Sequence, residues 1–447
     1  MLILAPPLGC GDKKEQPTED SREPAPEDSH EPVPEDSHEP VPDDSREPET
    51  EDAQAPEFAD CPEPTAEEPL AVMATWRKDP TTTVIIDWHV GPDDDALRSF
   101  CYKEVGAEGW QHSAQAEQHA SPHSERSIHR VSLDGLRPGT EYRFRMGEFE
   151  RRYKFTTMPG DIDDEPLVFA AGGDTMHWAV FLETMNKAVM EYNPDFVIWA
   201  GDLAMDDGEP ERAHLWDYWF ETNRNTLIDE DGRVVPILVA IGNHEVLDGY
   251  YANHDDAAQT DDWRESVAPY FYALFAFPGQ PGYNVLDFGD YMTLIALDTE
   301  HTNPVEGAQT EWLAGVLEER ADAGVPHVFP FYHVPAYPSY RNKSGRVSTL
   351  VRENWAPLFE EHGVKYAFEG HDHTYKRTHP ILAGEVHPEG VVYVGDGAWG
   401  VWTRTADPER WYIARAEDSL HGVIVSLHGS ERHFRVVSNL GEVLDEW

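Results

Sequence analysis

Five apolar runs rich in β-branched residues mark the chain beyond residue 160, and each ends at a small group of polar residues. The runs are residues 167–171, 196–200, 237–241, 328–332 and 364–368. Runs of this length bounded by glycine are typical of buried β-strands. Because ligands bind where the strands of an open α/β sheet end, we expect the polar residues to meet at the strand ends of one sheet.

Helical patterns lie between these runs, for instance at residues 178–192, 309–323 and 352–362. Later strands, predicted at residues 282–298, 391–395, 422–427 and 433–438, follow one another as hairpins do. Residues 160–447 are therefore predicted to form parallel strand–helix–strand units followed by a mixed second sheet, an α/β fold with one large core. We expect the dense aromatics Trp216, Tyr218, Trp219 and Phe220 in that core or in a lid.

Residues 66–158 instead alternate in short strands separated by turn signals. Residues 133–144 resemble the fibronectin type III pattern, with Tyr142 as the tyrosine corner. We expect an all-β sandwich with Trp76 and Trp88 in its core. Its role would be that of a scaffold or a dimer contact, so that a homodimer is a possible state of the protein.

The N-terminal part has a different composition. Residues 11–65 repeat an acidic, proline-rich unit with a period of eight residues, and we expect a disordered linker because this composition leaves nothing to bury. Residues 1–10 resemble the end of a bacterial lipoprotein signal, shortened at its start, in which Cys10 would be lipidated. We therefore expect an exported protein, either a cell-envelope lipoprotein or a secreted one, that meets a membrane only through a lipid anchor at Cys10.

The polar groups at the strand ends combine carboxylates, an amide and imidazoles. In chain order they are Asp174, Gly201-Asp202, Gly242-Asn243-His244-Glu245, His333 and Gly370-His371-Asp372-His373. Two metal ions ~3.5–4 Å apart require such a set, with a bridging anion, hard oxygens, neutral imidazoles and an open position for water. Asp202 would bridge the ions, and a hydroxide between them would attack phosphorus in line. His244 would donate a hydrogen bond to the phosphoryl oxygen or a proton to the leaving group, unless it only orients a ligand.

These motifs, in this order, resemble those of metallophosphoesterases of the purple acid phosphatase group, in the calcineurin-like phosphoesterase superfamily. The resemblance extends over about residues 66–447 and includes the sequence GHDHTYKR at residues 370–377. It implies a four-layer α/β/β/α sandwich behind the fibronectin-like sandwich, and a centre of two metal ions drawn from Fe, Zn and Mn. The ligands that the resemblance implies are Asp174, Asp202 and His373 for the first ion, and Asp202, Asn243, His333 and His371 for the second.

Two positions depart from the family pattern. Where purple members have the tyrosine of GD-x-x-Y, this chain has Met205, and a thioether cannot replace a phenolate as a hard anionic ligand of Fe(III). His177 is a candidate for an additional contact to a metal or to the substrate. In the loop of residues 338–343, plant-type members supply further histidines, whereas this chain has Arg341 and Lys343, which would either meet a phosphate or stay solvated.

Charge and cysteine content limit the partners. The formal net charge of -51 is not confined to the linker, and such an acidic chain repels nucleic acid, which we exclude as a bulk partner. The 3 cysteines include no cluster for a soft metal. If Cys10 is lipidated, Cys61 and Cys101 are the remaining pair for a disulfide, and the sequence does not decide whether it forms.

The predicted function is that of an acid phosphatase-like enzyme that releases phosphate from small phosphorylated substrates with two metal ions. A phosphodiesterase or a nucleotide hydrolase is the alternative, because the same metal core serves both reactions. A non-catalytic cell-surface binding module is a further alternative, although its ligand motifs would be expected to degenerate. Asp396, between two glycines, is expected only to shape a turn.

Overall fold

The computed structural model describes residues 61, 63, 68–91 and 98–447. The lipoprotein-like segment with Cys10 lies outside the described residues, and so does the repeat linker apart from residues 61 and 63. The described residues form a β-sandwich followed by a larger α/β part, and both belong to one unit.

Short antiparallel strands build the sandwich. They are β1 (Ala71–Thr75), β2 (Val84–Val90), β3 (Ser99–Glu104), β4 (His112–Gln115), β5 (Glu117–Ala120), β6 (Ser127–Leu133), β7 (Glu141–Met146) and β8 (Tyr153–Thr156). One sheet has the order β1-β2-β6-β5 and the other β4-β3-β7-β8. Tyr142 Oη accepts a hydrogen bond of 2.9 Å from Arg137 N, which is the tyrosine-corner contact that the pattern predicts.

The two tryptophans predicted in the sandwich core have different surroundings. Trp88 stacks on Phe100 inside the sandwich, with ring centroids 6.0 Å apart. Trp76 is also buried, but it lies edge-on against Phe196 and Phe288 of the α/β part, at 5.9 and 5.8 Å. The core of the sandwich therefore continues into the core of the larger part.

A disulfide links Cys61 to Cys101, across 40 residues of sequence, with the Cα atoms 6.2 Å apart. It attaches the segment before β1 to strand β3 of the sandwich. The pairing that the sequence left undecided is thus formed in the structure.

The α/β part contains two larger sheets. Its strands are β9 (Leu167–Gly172), β10 (Phe196–Ala200), β11 (Ile237–Ala240), β12 (Asn284–Phe288), β13 (Met292–Ala296), β14 (His327–Tyr332), β15 (Tyr366–Glu369), β16 (Tyr375–Thr378), β17 (Ile381–Leu382), β18 (Glu385–Val386), β19 (Val392–Gly395), β20 (Ile413–Glu417), β21 (His421–His428), β22 (Glu431–Ser438) and β23 (Val443–Glu446). A six-stranded sheet has the order β11-β10-β9-β21-β22-β23, and a seven-stranded sheet the order β12-β13-β14-β15-β19-β16-β20. Strands β9, β10 and β11 are parallel, as are β13, β14, β15 and β19.

Helices cover the outer face of each sheet. They are α1 (Ala179–Met190), α2 (His214–Thr226), α3 (Asp261–Val267), α4 (Pro269–Leu274), α5 (Ala308–Ala323), α6 (Arg346–Asn354) and α7 (Ala356–Glu361). In β10, Phe196 and Ile198 face the second sheet, whereas Val197 and Trp199 pack with α1 and α2, because successive strand residues point to opposite faces. Helices α5, α6 and α7 pack on the seven-stranded sheet. The predicted four-layer α/β/β/α sandwich is confirmed.

Two predictions at the level of elements were wrong. The strands that carry the metal motifs lie in two facing sheets and not in one, because β14 and β15 pair with β13 and β19 rather than with β9. The helix predicted at residues 352–362 is two helices, α6 and α7, with Trp355 between them. Pro357 has no backbone N–H to donate, so it is accommodated in the first turn of α7 and not inside a continuous helix.

Three of the four aromatics after the second motif are buried in α2, namely Trp216, Trp219 and Phe220, while Tyr218 is exposed. They belong to the core between α2 and the six-stranded sheet. Within the described part of the chain, no helix combines the length and the apolar character needed to cross a bilayer.

Candidate metal centre

Loops at the carboxyl ends of β9, β10 and β11 bring Asp174, Asp202 and Asn243 to one edge of the six-stranded sheet. Asp174 and Asp202 both adopt the left-handed conformation, with φ of 56° and 54°. Gly201 has a φ of 83°, and a Cβ atom on it would lie 2.7 Å from Gly242 Cα, so only glycine lets the two loops approach. Left-handed residues other than glycine are strained and concentrate at functional sites.

The seven-stranded sheet supplies the histidines from the opposite side. His333 follows β14, and His371 and His373 follow β15, with φ of 80° and 58° for the latter two. His371 N donates a 2.8 Å hydrogen bond to Asp174 Oδ2, which joins the two sheets at this edge. The centre therefore lies where the strand ends of two sheets converge.

Two groups of potential ligand atoms share one carboxylate. Asp174, Asp202 and His373 form the first group, and Asp202, His333 and His371 form the second, with the ligand atoms of each group within 4.8 Å of one another. These five side chains are at most 6% exposed. Asn243 Oδ1 lies 3.1 Å from His333 Nε2 and thus joins the second group.

The hydrogen bonding of these groups fits a cation. Asp174 Oδ1 and Asp202 Oδ2 are buried and accept no hydrogen bond from the described residues, although His373 Nε2 and His333 Nε2 each lie 3.1 Å from one of them. In addition, His371 Nδ1 is 3.0 Å from His333 Nε2. Buried carboxylate oxygens without donors, facing imidazole nitrogens, are costly unless a cation lies between them. The residues present therefore fit a pair of bound metal ions.

Backbone carbonyls orient two of the imidazoles. His333 Nδ1 lies 2.8 Å from Ala200 O, and His373 Nδ1 lies 3.2 Å from Trp402 O. Donation from Nδ1 in each ring directs Nε2 into the centre, where the neutral form of the ring can offer its lone pair to a metal ion. Burial lowers the pKa of His373 to about 3, with a further contribution from the charge of Arg404, so that the ring is neutral and able to coordinate a metal near neutral pH.

The carboxylates differ in their electrostatics. Burial raises the pKa of Asp174 well above its ordinary value, against the charge of His333. Burial also favours the neutral form of Asp202, but the charges of His333 and His244 outweigh it and hold the pKa of Asp202 below its ordinary value. Asp202 is therefore the anion of the centre before any metal binds, as a bridging ligand should be.

Comparison with known proteins agrees with this geometry. The chain matches the family described as Calcineurin-like phosphoesterase over residues 167–375, and the one described as Purple acid Phosphatase, N-terminal domain, over residues 69–157. In both of these parts the chain is similar to purple acid phosphatase-like metallophosphoesterases. The structure of a purple acid phosphatase from yellow lupin (Lupinus luteus) seeds has the same fold, with a TM-score of 0.70 at 16% identity over 84% of this chain and 73% of that chain.

The relatives that this chain matches are distant in sequence. Purple acid phosphatase 15 of Arabidopsis thaliana is 25% identical over 305 residues, which are 60% of this chain and 53% of the relative. Acid phosphatase type 7 of Mus musculus is 23% identical over 349 residues, which are 71% of this chain and 76% of the relative. The matches span 53%, 58% and 64% of the lengths of three Arabidopsis purple acid phosphatases.

His244 lies beside the two groups, and an aspartate that the sequence analysis missed orients it. Asp207 Oδ1 is in short contact with His244 Nδ1, and Asp207 N donates to His244 O at 2.8 Å. The other ring nitrogen, Nε2, lies 4.0 Å from Asp202 Oδ2 and is directed at the centre. Burial lowers the pKa of His244, but the charges of Asp202 and Asp207 more than offset this and raise it to about 10. Asp202 and Asp207 thus favour the protonated ring of His244, which can donate from Nε2.

The two departures from the family pattern are also defined. Met205 is 8% exposed and packs with Ala398 and Val401, so an apolar contact replaces the phenolate at this position. His177 lies next to His373, with ring centroids 5.3 Å apart, but neither group of potential ligands includes it. Its Nδ1 accepts a 3.0 Å hydrogen bond from Trp402 N, so the neutral ring presents an N–H at Nε2 and not a lone pair. This geometry favours a contact to substrate over a contact to metal.

Asp396 does more than shape a turn, which corrects the expectation from sequence. It is buried, and its Oδ1 lies 2.8 Å from Lys376 Nζ, while its Oδ2 accepts from Ser339 N at 2.9 Å. Lys376 Nζ also contacts Glu369 Oε2 at 2.5 Å, and Glu369 Oε1 accepts from Ala336 N at 2.7 Å. This fully buried cluster connects the loop after His333 to the end of β15, which the segment that contains His371 follows.

Glu245, the last residue of the third motif, joins the other pair of loops. Its Oε2 accepts from Asp202 N at 2.9 Å and from Gly242 N at 2.8 Å, and its Oε1 accepts from Leu203 N at 2.6 Å. These hydrogen bonds are buried and go to a carboxylate, so they fix the loop that contains Asp202 relative to the loop that contains Asn243.

Proposed function

We propose that this protein is a binuclear metal-dependent hydrolase that releases phosphate from small phosphomonoesters. The observation that carries the proposal is the sharing of Asp202 by two buried groups of ligand atoms, since a two-ion centre requires a bridging anion. Asp174, Asp202 and His373 would hold one ion, and Asp202, Asn243, His333 and His371 would hold the other. The names of relatives called acid phosphatases point to the same reaction.

Such ions, when bound, neutralise charge on phosphoryl oxygens and make water acidic enough to attack phosphorus near neutral pH. The protein's own part is the donation of hydrogen bonds and protons. His244 Nε2–H would donate to a phosphoryl oxygen or to the oxygen of the leaving group, and Asp207 would hold the ring in that orientation. His177 Nε2–H would provide a second, neutral donor at the same edge.

The test is elemental analysis of the purified full chain together with turnover of a chromogenic phosphomonoester and the matching diester. We expect two ions per chain and faster hydrolysis of the monoester. The double variant Asp202→Ala/Asn243→Ala should lose both metal and activity while keeping its circular dichroism, whereas Asp322→Ala on the exposed side of α5 should behave as wild type. Undiminished turnover by the metal-loaded double variant would refute the site, and faster diester hydrolysis would identify a phosphodiesterase.

We also propose that the protein is exported and that Cys10 carries a lipid, which would be its contact with a membrane. The lipoprotein-like sequence at residues 1–10 supports this, and so does the Cys61–Cys101 disulfide, since disulfides persist in oxidising compartments. Mass spectrometry of the peptide that contains Cys10, from wild type and from Cys10→Ser, tests it. An unmodified peptide recovered from the soluble fraction would contradict the anchor.

A homodimer is a further proposal, with the sandwich as the surface that could pair. Light scattering on the full chain measures it, and the mass of a single chain at micromolar concentration would exclude it.

A further inference from the structure

The ring of His371 is turned differently from the rings of His333 and His373, which present Nε2 to the centre. Its Nδ1 lies 3.0 Å from His333 Nε2, which is itself 3.1 Å from Asp202 Oδ2, so Nδ1 is the nitrogen that faces the second ligand group. On the other side of the ring, Nε2 lies 3.4 Å from the hydroxyl oxygen of Tyr250. A ring that coordinates through Nδ1 carries its proton on Nε2, and this N–H requires an acceptor because the ring is buried.

Tyr250 lies in the loop that continues the third motif, and its backbone is fixed on both sides. Gly249 O, just before it, lies 3.0 Å from Nδ1 of the buried His301. A carbonyl oxygen can only accept, so His301 Nδ1 carries the proton of this hydrogen bond. Just after it, Tyr251 N donates to Glu300 O at 2.7 Å. The ring of Tyr250 also packs on the ring of His301, with centroids 5.2 Å apart, so the hydroxyl group at the end of the ring has a defined place.

The loop after β13, which contains His301, supports the other histidine of the second group as well. Thr299 Oγ1 lies 3.0 Å from His301 Nε2 and accepts from Val334 N, next to His333, at 3.0 Å. Because Nδ1 of His301 carries the proton, its Nε2 accepts from the hydroxyl of Thr299. The ring centroids of His301 and His333 are 5.5 Å apart. This loop therefore connects the tyrosine to the end of β14.

We propose that Tyr250 is a positioning residue of the second ligand group, whose hydroxyl accepts Nε2–H of His371 and so directs Nδ1 at the ion that this group holds. The inference rests on the proposed function and deepens it, because it assigns part of the affinity for one of the two ions to a residue that is not itself a ligand. An acceptor on the far nitrogen fixes the orientation of a coordinating imidazole and makes it a more basic ligand.

The first ligand group is oriented by a different contact. His373 Nδ1 lies 3.2 Å from the carbonyl oxygen of Trp402, and its Nε2 lies 3.1 Å from Asp174 Oδ1. Loss of the Tyr250 hydroxyl should therefore affect the two ions unequally. The weakened ion should be the one that His371 helps to hold.

The experiment measures the affinity of the full chain for each of its two ions by titration with Zn(II) in competition with a chelator. Tyr250→Phe removes the hydroxyl and keeps the ring on His301, and His371→Ala identifies the binding step that belongs to the second group. Tyr251→Phe is the matched control, because its ring packs edge-on against Trp263 at 5.4 Å.

We expect Tyr250→Phe to raise the dissociation constant of the step that His371→Ala removes by about 10-fold and to leave the other step unchanged. This is the lower end of the effect of partners that orient metal ligands, and it suits a hydrogen bond whose length of 3.4 Å is near the upper limit. Tyr251→Phe should keep both dissociation constants of wild type.

A second readout follows the proton on Nε2 of His371, which a general loosening of the fold would not single out. In the protein loaded with Co(II), the paramagnetic ion shifts the protons of coordinated imidazoles away from the rest of the NMR spectrum. The N–H signal of His371 is the one that is absent from His371→Ala. It should exchange with solvent several-fold faster in Tyr250→Phe than in wild type, because it loses its acceptor, whereas Tyr251→Phe should leave its exchange unchanged.

An equal loss of affinity at both binding steps, or the same loss in Tyr251→Phe, would overturn the inference. If wild type binds two ions and hydrolyses a phosphomonoester while Tyr250→Phe binds both ions as tightly as wild type, the inference fails and the proposed function stands. If wild type binds two ions without hydrolysing phosphoesters and Tyr250→Phe weakens only the step that His371→Ala removes, the proposed function fails and the inference stands. A wild-type protein that binds neither Zn(II) nor Co(II) would overturn both. Melting temperatures of the metal-free variants separate these results from loss of the fold.

Discussion

Replacing Asp207 by alanine tests whether the orientation of His244 contributes to catalysis. The carboxylate contacts Nδ1 of the ring and also accepts from Arg212, while Nε2 is directed at Asp202. Hydrogen bonds to charged groups contribute about 1.5–3 kcal/mol, so Asp207→Ala should lower kcat/KM by about 10- to 150-fold. Asp207 also favours the protonated ring, so its loss should lower the pKa of His244 and move the alkaline limb of the pH–rate profile to lower pH.

The assay is the pH dependence of kcat/KM on a phosphomonoester, with metal content measured on the same sample. Metal content should stay at the wild-type value because Asp207 belongs to neither ligand group. Glu209 is the matched control, since it pairs with Arg212 at 3.2 Å without contacting His244. If Asp207→Ala keeps wild-type kcat/KM and an unshifted alkaline limb, or if Glu209→Gln loses as much, the reasoning about His244 is wrong.

Three further predictions concern stability. The double variant Cys61→Ser/Cys101→Ser should lower the free energy of unfolding by about 4 kcal/mol, which is the loop-closure value for a disulfide that spans 40 residues. Urea denaturation without reductant measures this change, and a loss below about 1 kcal/mol would contradict the prediction. Burial lowers the pKa of His89 to about 3 from 6.5 in the unfolded chain, so its contribution to the free energy of unfolding is complete above pH 6.5 and is lost as the pH falls towards 3. The variant His89→Asn should be less stable than wild type at pH 7, but between pH 6.5 and 5 its free energy of unfolding should fall by about 2 kcal/mol less than that of wild type. Parallel plots of this free energy against pH for the two proteins would refute the prediction. Lys376→Met should lower the free energy of unfolding by about 3–5 kcal/mol, measured by urea denaturation, because it leaves Glu369 and Asp396 buried without their cation. A free energy of unfolding equal to that of wild type would show that these two carboxyl groups do not depend on the charge of Lys376.

Much of this protein could be predicted because the relevant patterns are local. The run at residues 196–200 coincides with strand β10, and the tyrosine corner depends on two residues only five positions apart, Arg137 and Tyr142. Local patterns also misled where a neighbour decided the outcome. Pro357 splits a predicted helix, and Trp76 packs on the α/β part although its position in the sandwich sequence is that of a core residue.

Sequence by itself determined which side chains would stand at the ends of which strands, since strand period and the residues that follow each strand are properties of short segments. It also determined the types of ligand, and hence the expectation of two metal ions. Tertiary structure alone decided that two sheets converge on these residues, that Asp207 supports His244, and that Arg404 comes to lie beside His373 and Arg341. Those contacts join residues far apart in the chain. They depend on the order in which the strands pair and on how the two sheets pack, and a local sequence pattern specifies neither.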